Sequence, residues 1–174
     1  MCRILLLSLF FTLSQQAITQ TQDNRGYIVE VGQTMPELNM TLTDGTVVTS
    51  DYLKGKVVLL QFTASWCGVC RKEMPHLENE VWQKHKDHPD FVMIGIDLDE
   101  PLDKVISFGE TVGVTYPLAL DPGGTIFYQF AEKKAGVTRN ILCDRDGKII
   151  MLTRLFDQKE FDQMKIEVGK QLEN

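Results

Sequence analysis

The stretch TASWCGVCRKEMP, residues 63–75, places two cysteines three positions apart, directly after an apolar run that predicts a buried strand. The spacing of the apolar residues that follow predicts an amphipathic helix over about residues 68–86. Free N–H groups and the dipole at a helix start stabilise a thiolate, so Cys67 is predicted to be the better nucleophile. Cys70 lies one turn further along, close enough to bridge Cys67. The pair could therefore cycle between dithiol and disulfide, with Cys70 resolving a mixed disulfide formed by Cys67.

Two other uses of closely spaced cysteines fit the sequence less well. A disulfide that closes so small a loop removes little chain entropy, which makes a purely structural staple a weak explanation. Zinc usually takes four ligands, and a second Cys-x-x-Cys is absent from the sequence. His76, His85, His88 and Cys143 show no ligand-like pairing, and Cys143 is expected to be a buried, inert thiol in an apolar strand. We therefore expect no metal site.

The residues around the cysteines extend the motif. Trp66-Cys67-Gly68-Val69-Cys70, with Pro75 five residues after the second cysteine, resembles the active site of the thioredoxin superfamily, in which that proline kinks the active-site helix. The phrases GKVVLLQF, LTDGTVVTSDYLKGK, VGVTYPLALDPGG and ILCDRDGKI resemble the exported TlpA/ResA-like thiol–disulfide oxidoreductases, over about residues 30–172. This resemblance implies protein disulfides or dithiols as substrates and no cofactor.

The resemblance also implies an α/β fold, a thioredoxin-like mixed sheet flanked by helices on both faces, with an N-terminal β-hairpin and a central insertion. The residue pattern agrees: alternation around Asp44-Gly45 predicts a hairpin over residues 38–49. Further extended segments are predicted at 57–63, 91–97, 116–120, 139–143 and 148–154, and helices at 68–86, 102–113, 124–134 and 158–172. Such βαβ units followed by a late hairpin predict a sheet with parallel and antiparallel strands.

The sequence departs from the family at the residue that normally packs beside the cysteines. Alignment of ILCDRDG puts Thr138 where the family has a cis-proline. A trans Val137–Thr138 bond is expected, because a cis bond without proline costs about 2.5–4 kcal/mol. Thr138 keeps a backbone donor and adds a hydroxyl that could hydrogen-bond the Cys67 thiolate. Arg139 has two alternatives: its guanidinium reaches the thiolate and lowers the pKa of Cys67, or it points to solvent from an edge strand.

Three more side chains are candidates for supporting roles. TlpA/ResA-like proteins carry a glutamate at the position of Glu73 that is assigned a role in tuning the thiols, and the alternative is a solvated glutamate on the helix face. Gln61 stands where thioredoxin has a buried acid and is expected to hydrogen-bond beneath the site, because an amide cannot act as a base. Trp66 is expected to be partly exposed, shielding Cys67 and offering an apolar contact to substrates.

The first nineteen residues have a different character. Arg3 precedes a run of about ten mostly apolar residues and a polar exit, which predicts a secretory signal peptide over residues 1–19. The run is shorter than the ~20 residues that a membrane span needs. An uncleaved anchor and a buried N-terminal helix are the alternatives. Residues 20–34 are then an irregular mature N-terminus, residues 35–174 the thioredoxin-like domain, and the compartment is extracytoplasmic, for instance the periplasm.

The net charge of the chain and the residues between the cysteines limit the functions that fit the sequence. A formal net charge of −6 without a basic cluster makes nucleic acid and anionic membrane surfaces poor partners. Gly68 and Val69 supply no cation that would favour the reduced pair. The sequence therefore predicts an exported thiol–disulfide oxidoreductase that acts more as a reductant, re-reduced by a membrane thiol donor.

Three alternatives remain from the sequence. A non-catalytic thioredoxin-like binding module is favoured by Thr138. A peroxiredoxin-like antioxidant protein is disfavoured because Leu60 and Ala64 fill the positions of its Pro-x-x-x-Thr/Ser-x-x-Cys signature. A copper-handling protein would need a wider cysteine spacing and a distant histidine.

Overall fold

A computed structural model describes residues 25–173, so the predicted signal peptide and the first part of the predicted irregular segment lie outside the described residues. These residues contain a seven-stranded sheet with the strand order β2-β1-β5-β4-β3-β6-β7. The strands are β1 Asn39–Leu42, β2 Val47–Thr49, β3 Val57–Thr63, β4 Phe91–Leu98, β5 Leu118–Asp121, β6 Arg139–Cys143 and β7 Ile149–Arg154. The α-helices are α1 Ser50–Leu53, α2 Gly68–Leu77, α3 Gln83–His85, α4 Leu102–Val112 and α5 Gln158–Glu173.

The sheet mixes strand directions, as the sequence predicts. Strand β3 pairs in parallel with β4 and antiparallel with β6, and β4 pairs in parallel with β5. Every residue of β3 is buried, because the strand lies inside the sheet and is covered on both faces. The hairpin β1–β2 and the insertion α4–β5 extend the sheet beyond β4. The predicted α/β fold class is confirmed.

Alternate side chains of β3 face two different layers. Thr63 contacts Met74 on α2, whereas the ring of Phe62 lies on the opposite face, with its centroid 5.2 Å from that of Phe127 and 5.5 Å from that of Phe130. The first layer contains α2 and α5. The second contains 3₁₀ turns and the chain around Tyr27, whose backbone bridges to Ala131.

The predicted helix over residues 124–134 is wrong. The chain there forms only two short 3₁₀ segments, Pro122–Gly124 and Phe127–Gln129. Gly123 and Gly124 have φ angles of 70° and 69°, which an α-helix cannot contain. The Asp121 carboxylate instead accepts the N–H groups of Ile126 and Phe127 and fixes a turn.

The helical segment that follows the cysteines is unbroken along the chain but changes its hydrogen bonding. Pro75 lies inside α2, and a π-helical segment, Glu78–Trp82, separates α2 from α3. Pro75 has no N–H group to donate to the preceding turn, and the Asn79 amide donates to the Pro75 carbonyl at 2.8 Å. The predicted single helix over residues 68–86 is therefore three consecutive helical pieces. No helix among the described residues is long and apolar enough to cross a bilayer.

Candidate active site

The two cysteines lie where β3 leaves the sheet and α2 begins. They are joined by a disulfide with an S–S distance of 2.18 Å and a Cα–Cα distance of 5.3 Å. Cys67 is the N-cap of α2, and its sulfur accepts the backbone N–H of Cys70 at 3.1 Å. Cys70 is fully buried and Cys67 is 7% exposed, while the neighbouring Trp66 is 63% exposed. Cys67 is therefore the sulfur that an incoming thiol or disulfide can reach.

Thr138 brings its hydroxyl group to both sulfurs. The Thr138 Oγ1 atom lies 3.1 Å from Cys67 Sγ and 3.3 Å from Cys70 Sγ. The described residues contain no cis peptide bond, so the Val137–Thr138 bond is trans, as expected. The Thr138 carbonyl accepts the N–H of Leu155 at 3.2 Å, which ties this residue to the end of β7. Thr138 thus contacts the redox pair through a side-chain donor.

Glu73 lies one turn after Cys70 and is buried beneath α2. Its carboxylate accepts the amide N–H groups of Gln61, at 3.2 Å, and Asn140, at 2.7 Å. Tyr116 donates its hydroxyl to the other end of the Gln61 amide at 2.7 Å. Burial raises the pKa of Glu73 to about 7, although both amide hydrogen bonds lower it. The solvated alternative for Glu73 is wrong, and Gln61 hydrogen-bonds beneath the site as expected.

Arg139 adopts neither of the arrangements expected from the sequence. It is fully buried, on a strand that lies between β3 and β7 instead of at an edge. Its guanidinium donates to the carbonyls of Gly136 at 3.0 Å and Arg25 at 2.7 Å, and stacks 4.3 Å from the ring centroid of Tyr27. Adjacent strand residues point to opposite faces, so a Thr138 side chain on the sulfurs directs Arg139 away from them.

A second polar cluster holds the loop that leads to Cys67. Glu100 accepts both the backbone N–H and the hydroxyl of Ser65, and it pairs with Lys104. Arg71 donates to the Ser65 carbonyl from Nε at 3.0 Å and from Nη2 at 2.6 Å. Asp97 lies below, at the end of β4, fully buried. Sequence reasoning missed this cluster, although an acidic residue at the end of an otherwise apolar parallel strand is a usable signal.

Comparisons with known proteins identify the family of this chain. Residues 30–167 match the sequence profile of the Redoxin family. The chain belongs to the Redoxin family. The thiol–disulfide oxidoreductase ResA of Bacillus thuringiensis is 32% identical over 140 residues, which cover 80% of this chain and 76% of the relative. ResA of Bacillus cereus is 33% identical over 122 residues, covering 70% and 68%.

Solved structures agree with this membership. A protein from Bacteroides thetaiotaomicron that is proposed to be a protein disulfide isomerase is 56% identical, with a TM-score of 0.83, over 86% of this chain and 94% of that one. A protein from Chlorobium tepidum, proposed to be the thiol:disulfide interchange protein DsbE, is 27% identical with a TM-score of 0.71, over 83% and 99%. This Redoxin-family member is thus a ResA-like thiol–disulfide oxidoreductase of thioredoxin-like fold, with Cys67 and Cys70 as its redox pair.

Cys143 stands apart from the redox pair. Cys143 is a free thiol on β6, fully buried, with its sulfur 3.7 Å from the Met35 sulfur. Burial raises its pKa to about 12, which removes the thiolate at neutral pH. Among residues 25–173, no three His, Cys, Asp or Glu side chains converge in a group that could hold a metal ion.

Proposed function

We propose that this Redoxin-family oxidoreductase is exported and reduces disulfides of other exported proteins. The observation that carries the proposed direction is the neutral surroundings of the two sulfurs. Their hydrogen-bond partners are the Thr138 hydroxyl and the Cys70 N–H, and the nearest acid on the same helix is the buried Glu73. A pair is strongly oxidising when its reduced form is stabilised. Neutral partners and a nearby carboxylate stabilise the reduced form less than a cation beside the sulfurs would, which favours a reductant.

The proposed reaction is a two-electron exchange in two displacements. The Cys67 thiolate attacks one sulfur of a substrate disulfide, breaks that bond and releases the other substrate sulfur as a thiolate, which takes a proton. The Cys70 thiolate then attacks the Cys67 sulfur and releases the substrate as a dithiol. The product is the Cys67–Cys70 disulfide, and the enzyme dithiol has supplied both electrons.

Four neighbours support these steps in the proposal. Glu73, with a pKa of about 7, accepts the proton that Cys70 must lose before it resolves the mixed disulfide. The Thr138 hydroxyl donates to the sulfur that carries negative charge. Trp66 offers its exposed ring to an apolar segment beside the substrate cysteine. Pro75 shapes the helix under the pair from inside α2.

Export and re-reduction complete the proposal. The signal peptide predicted over residues 1–19 supports an extracytoplasmic location, where disulfides form readily. A reductant in such a compartment must be returned to its dithiol form, and a membrane thiol donor is the proposed source of electrons. Cell fractionation and sequencing of the mature N-terminus test the location; a cytoplasmic protein that retains Met1 contradicts it.

The reduction potential of the Cys67–Cys70 pair tests the direction. The purified domain is equilibrated with dithiothreitol or glutathione buffers, and the fraction of dithiol is counted by mass spectrometry after alkylation. We expect a potential close to the roughly −270 mV of thioredoxin. A value near the roughly −120 mV of DsbA would instead make the protein an oxidant. Cys143→Ala removes the third thiol from the count and should leave the potential unchanged.

A further inference from the structure

A buried carboxyl group beside the active-site loop has no hydrogen-bond donor as a carboxylate. Asp97 is fully buried, and neither of its side-chain oxygens has a partner among the described residues. An unpaired buried carboxylate is strongly unfavourable, so such a group keeps its proton and remains neutral. The neighbour that can accept this proton in a hydrogen bond is Glu100, whose carboxylate raises the proton affinity of Asp97.

Glu100 connects Asp97 to the loop that carries the redox cysteine. Its two oxygens accept the N–H and the hydroxyl of Ser65, two residues before Cys67. Arg71 holds the Ser65 carbonyl from the other side. Every polar group of Ser65 is therefore bonded, and Glu100 supplies two of the three connections. Any change in the charge or orientation of Glu100 acts directly on the loop.

We propose that Asp97 carries a proton at neutral pH and donates it in a hydrogen bond to Glu100, and that this carboxyl pair positions the loop Ser65–Cys67. The pair acts through Ser65 and touches neither substrate nor reacting sulfur, so both members are positioning residues. Burial and the Glu100 charge raise the pKa of Asp97 to about 8, which agrees with the missing donor. The inference is independent of export and of the direction of the redox reaction.

The surrounding charges determine what happens when Asp97 loses its proton. The charged groups that act on Asp97 are Glu100 and Lys104. Strand β3 presents the neutral Thr63 opposite Asp97, and on β5 the neutral Leu120 lies beside Asp97, whereas Asp121 pairs with Leu98 and faces the other side of the sheet. Glu100 raises and Lys104 lowers the pKa of Asp97. Deprotonation places two carboxylates against each other, so Glu100 moves away from Asp97 and releases Ser65 while it keeps its ion pair with Lys104. The loop and the Trp66 side chain then lose their anchor.

Fluorescence of Trp66 in the oxidised protein tests this inference. The chain has two tryptophans, so Trp82→Phe leaves Trp66 as the reporter. The disulfide removes the titration of Cys67 and Cys70 from the signal. Between pH 6 and pH 10 we expect a fluorescence transition centred near pH 8, absent in Asp97→Asn, whose amide still donates to Glu100 but cannot ionise. Asp97→Asn should keep the low-pH signal at all pH values.

A matched control separates Asp97 from the other buried acid. Glu73→Gln removes the group with a pKa of about 7 and should leave the transition near pH 8 in place. Carboxyl ¹³C chemical shifts of Asp97 give an independent midpoint. A transition that persists in Asp97→Asn, an absent transition in the parent protein, or a ¹³C midpoint below pH 5 each overturns the inference. If Asp97→Asn does not fold, the ¹³C midpoint and the transition in Ser65→Ala, expected to be strongly reduced, decide the question.

Discussion

The hydroxyl oxygen of Thr138 lies 3.1 Å from the sulfur of Cys67 and 3.3 Å from that of Cys70. A single hydroxyl can therefore donate to either sulfur, depending on which one carries negative charge. Thr138 is 2% exposed and its carbonyl is bonded to the Leu155 N–H, so the hydroxyl is held in place. Thr138, which the sequence resemblance places at a cis-proline position, thus gives the redox pair a side-chain hydrogen bond.

Removal of that hydroxyl should lower the rate at which the reduced enzyme reacts with disulfides. Thr138→Val keeps the β-branched shape and the backbone donor but leaves the thiolate without its side-chain donor. A hydrogen bond to a charged group contributes about 1.5–3 kcal/mol, so loss of the donor to the thiolate should raise the pKa of Cys67. The rate of reaction with an aromatic disulfide, measured against pH, gives this pKa. Thr138→Ser keeps the hydroxyl and is the control; identical pH profiles for all three proteins would remove the hydroxyl from the mechanism.

The two cysteines have different proposed roles, so their serine variants should differ in the mixed disulfides that they trap. Cys70→Ser lacks the resolving thiol and should accumulate a mixed disulfide between Cys67 and a protein substrate. Cys67→Ser should accumulate none, because the remaining thiol is fully buried. Non-reducing gels followed by mass spectrometry of the linked peptides identify the joined cysteines. Both variants are made in a Cys143→Ala background, and a stable adduct through Cys70 would reverse the assignment.

Much of this architecture follows from the sequence because its causes are local. Apolar runs locate β3 and β4, Asp44-Gly45 locates the hairpin, and the cysteine spacing locates the redox pair. Arg139 is different: its surroundings are built by Tyr27 and Arg25, more than a hundred residues earlier, and no local pattern reports that contact. The role of Asp97 is also absent from any local pattern, because its neighbour Glu100 acts on Ser65, which lies in another loop.

Glu73 should make both stability and thiol titration depend on pH. Its folded-state pKa of about 7 lies above the ordinary value of 4.5, so the folded protein binds more protons than the unfolded chain between these pH values. Stability from this group is therefore present below pH 4.5 and falls as pH rises through 7. Glu73→Gln should show a smaller loss of the free energy of unfolding between pH 5 and pH 8, measured by urea denaturation.

The same variant should change the thiols. An ionised Glu73 disfavours a second negative charge on the redox pair, so Glu73→Gln should lower the pKa of the thiols. Alkylation rates of the reduced protein against pH measure this shift. Glu110→Gln, an exposed glutamate on α4, is the matched control and should resemble the parent protein in both experiments. If Glu73→Gln also resembles the parent, Glu73 has no part in proton transfer.

Arg139 should matter for stability and not for thiol chemistry. Its guanidinium bonds the carbonyls of Gly136 and Arg25 and stacks on Tyr27, which fastens the N-terminal segment onto the sheet. Arg139→Ala leaves a cavity and two carbonyls without donors, so the free energy of unfolding should fall by about 2–4 kcal/mol. Arg139→Lys should recover only part of the loss, because an ammonium cannot reproduce the planar fork. The reduction potential and the pKa of Cys67, measured on folded protein, should stay at the parent values. A raised Cys67 pKa with unchanged stability would mean that the guanidinium acts on the thiolate after all.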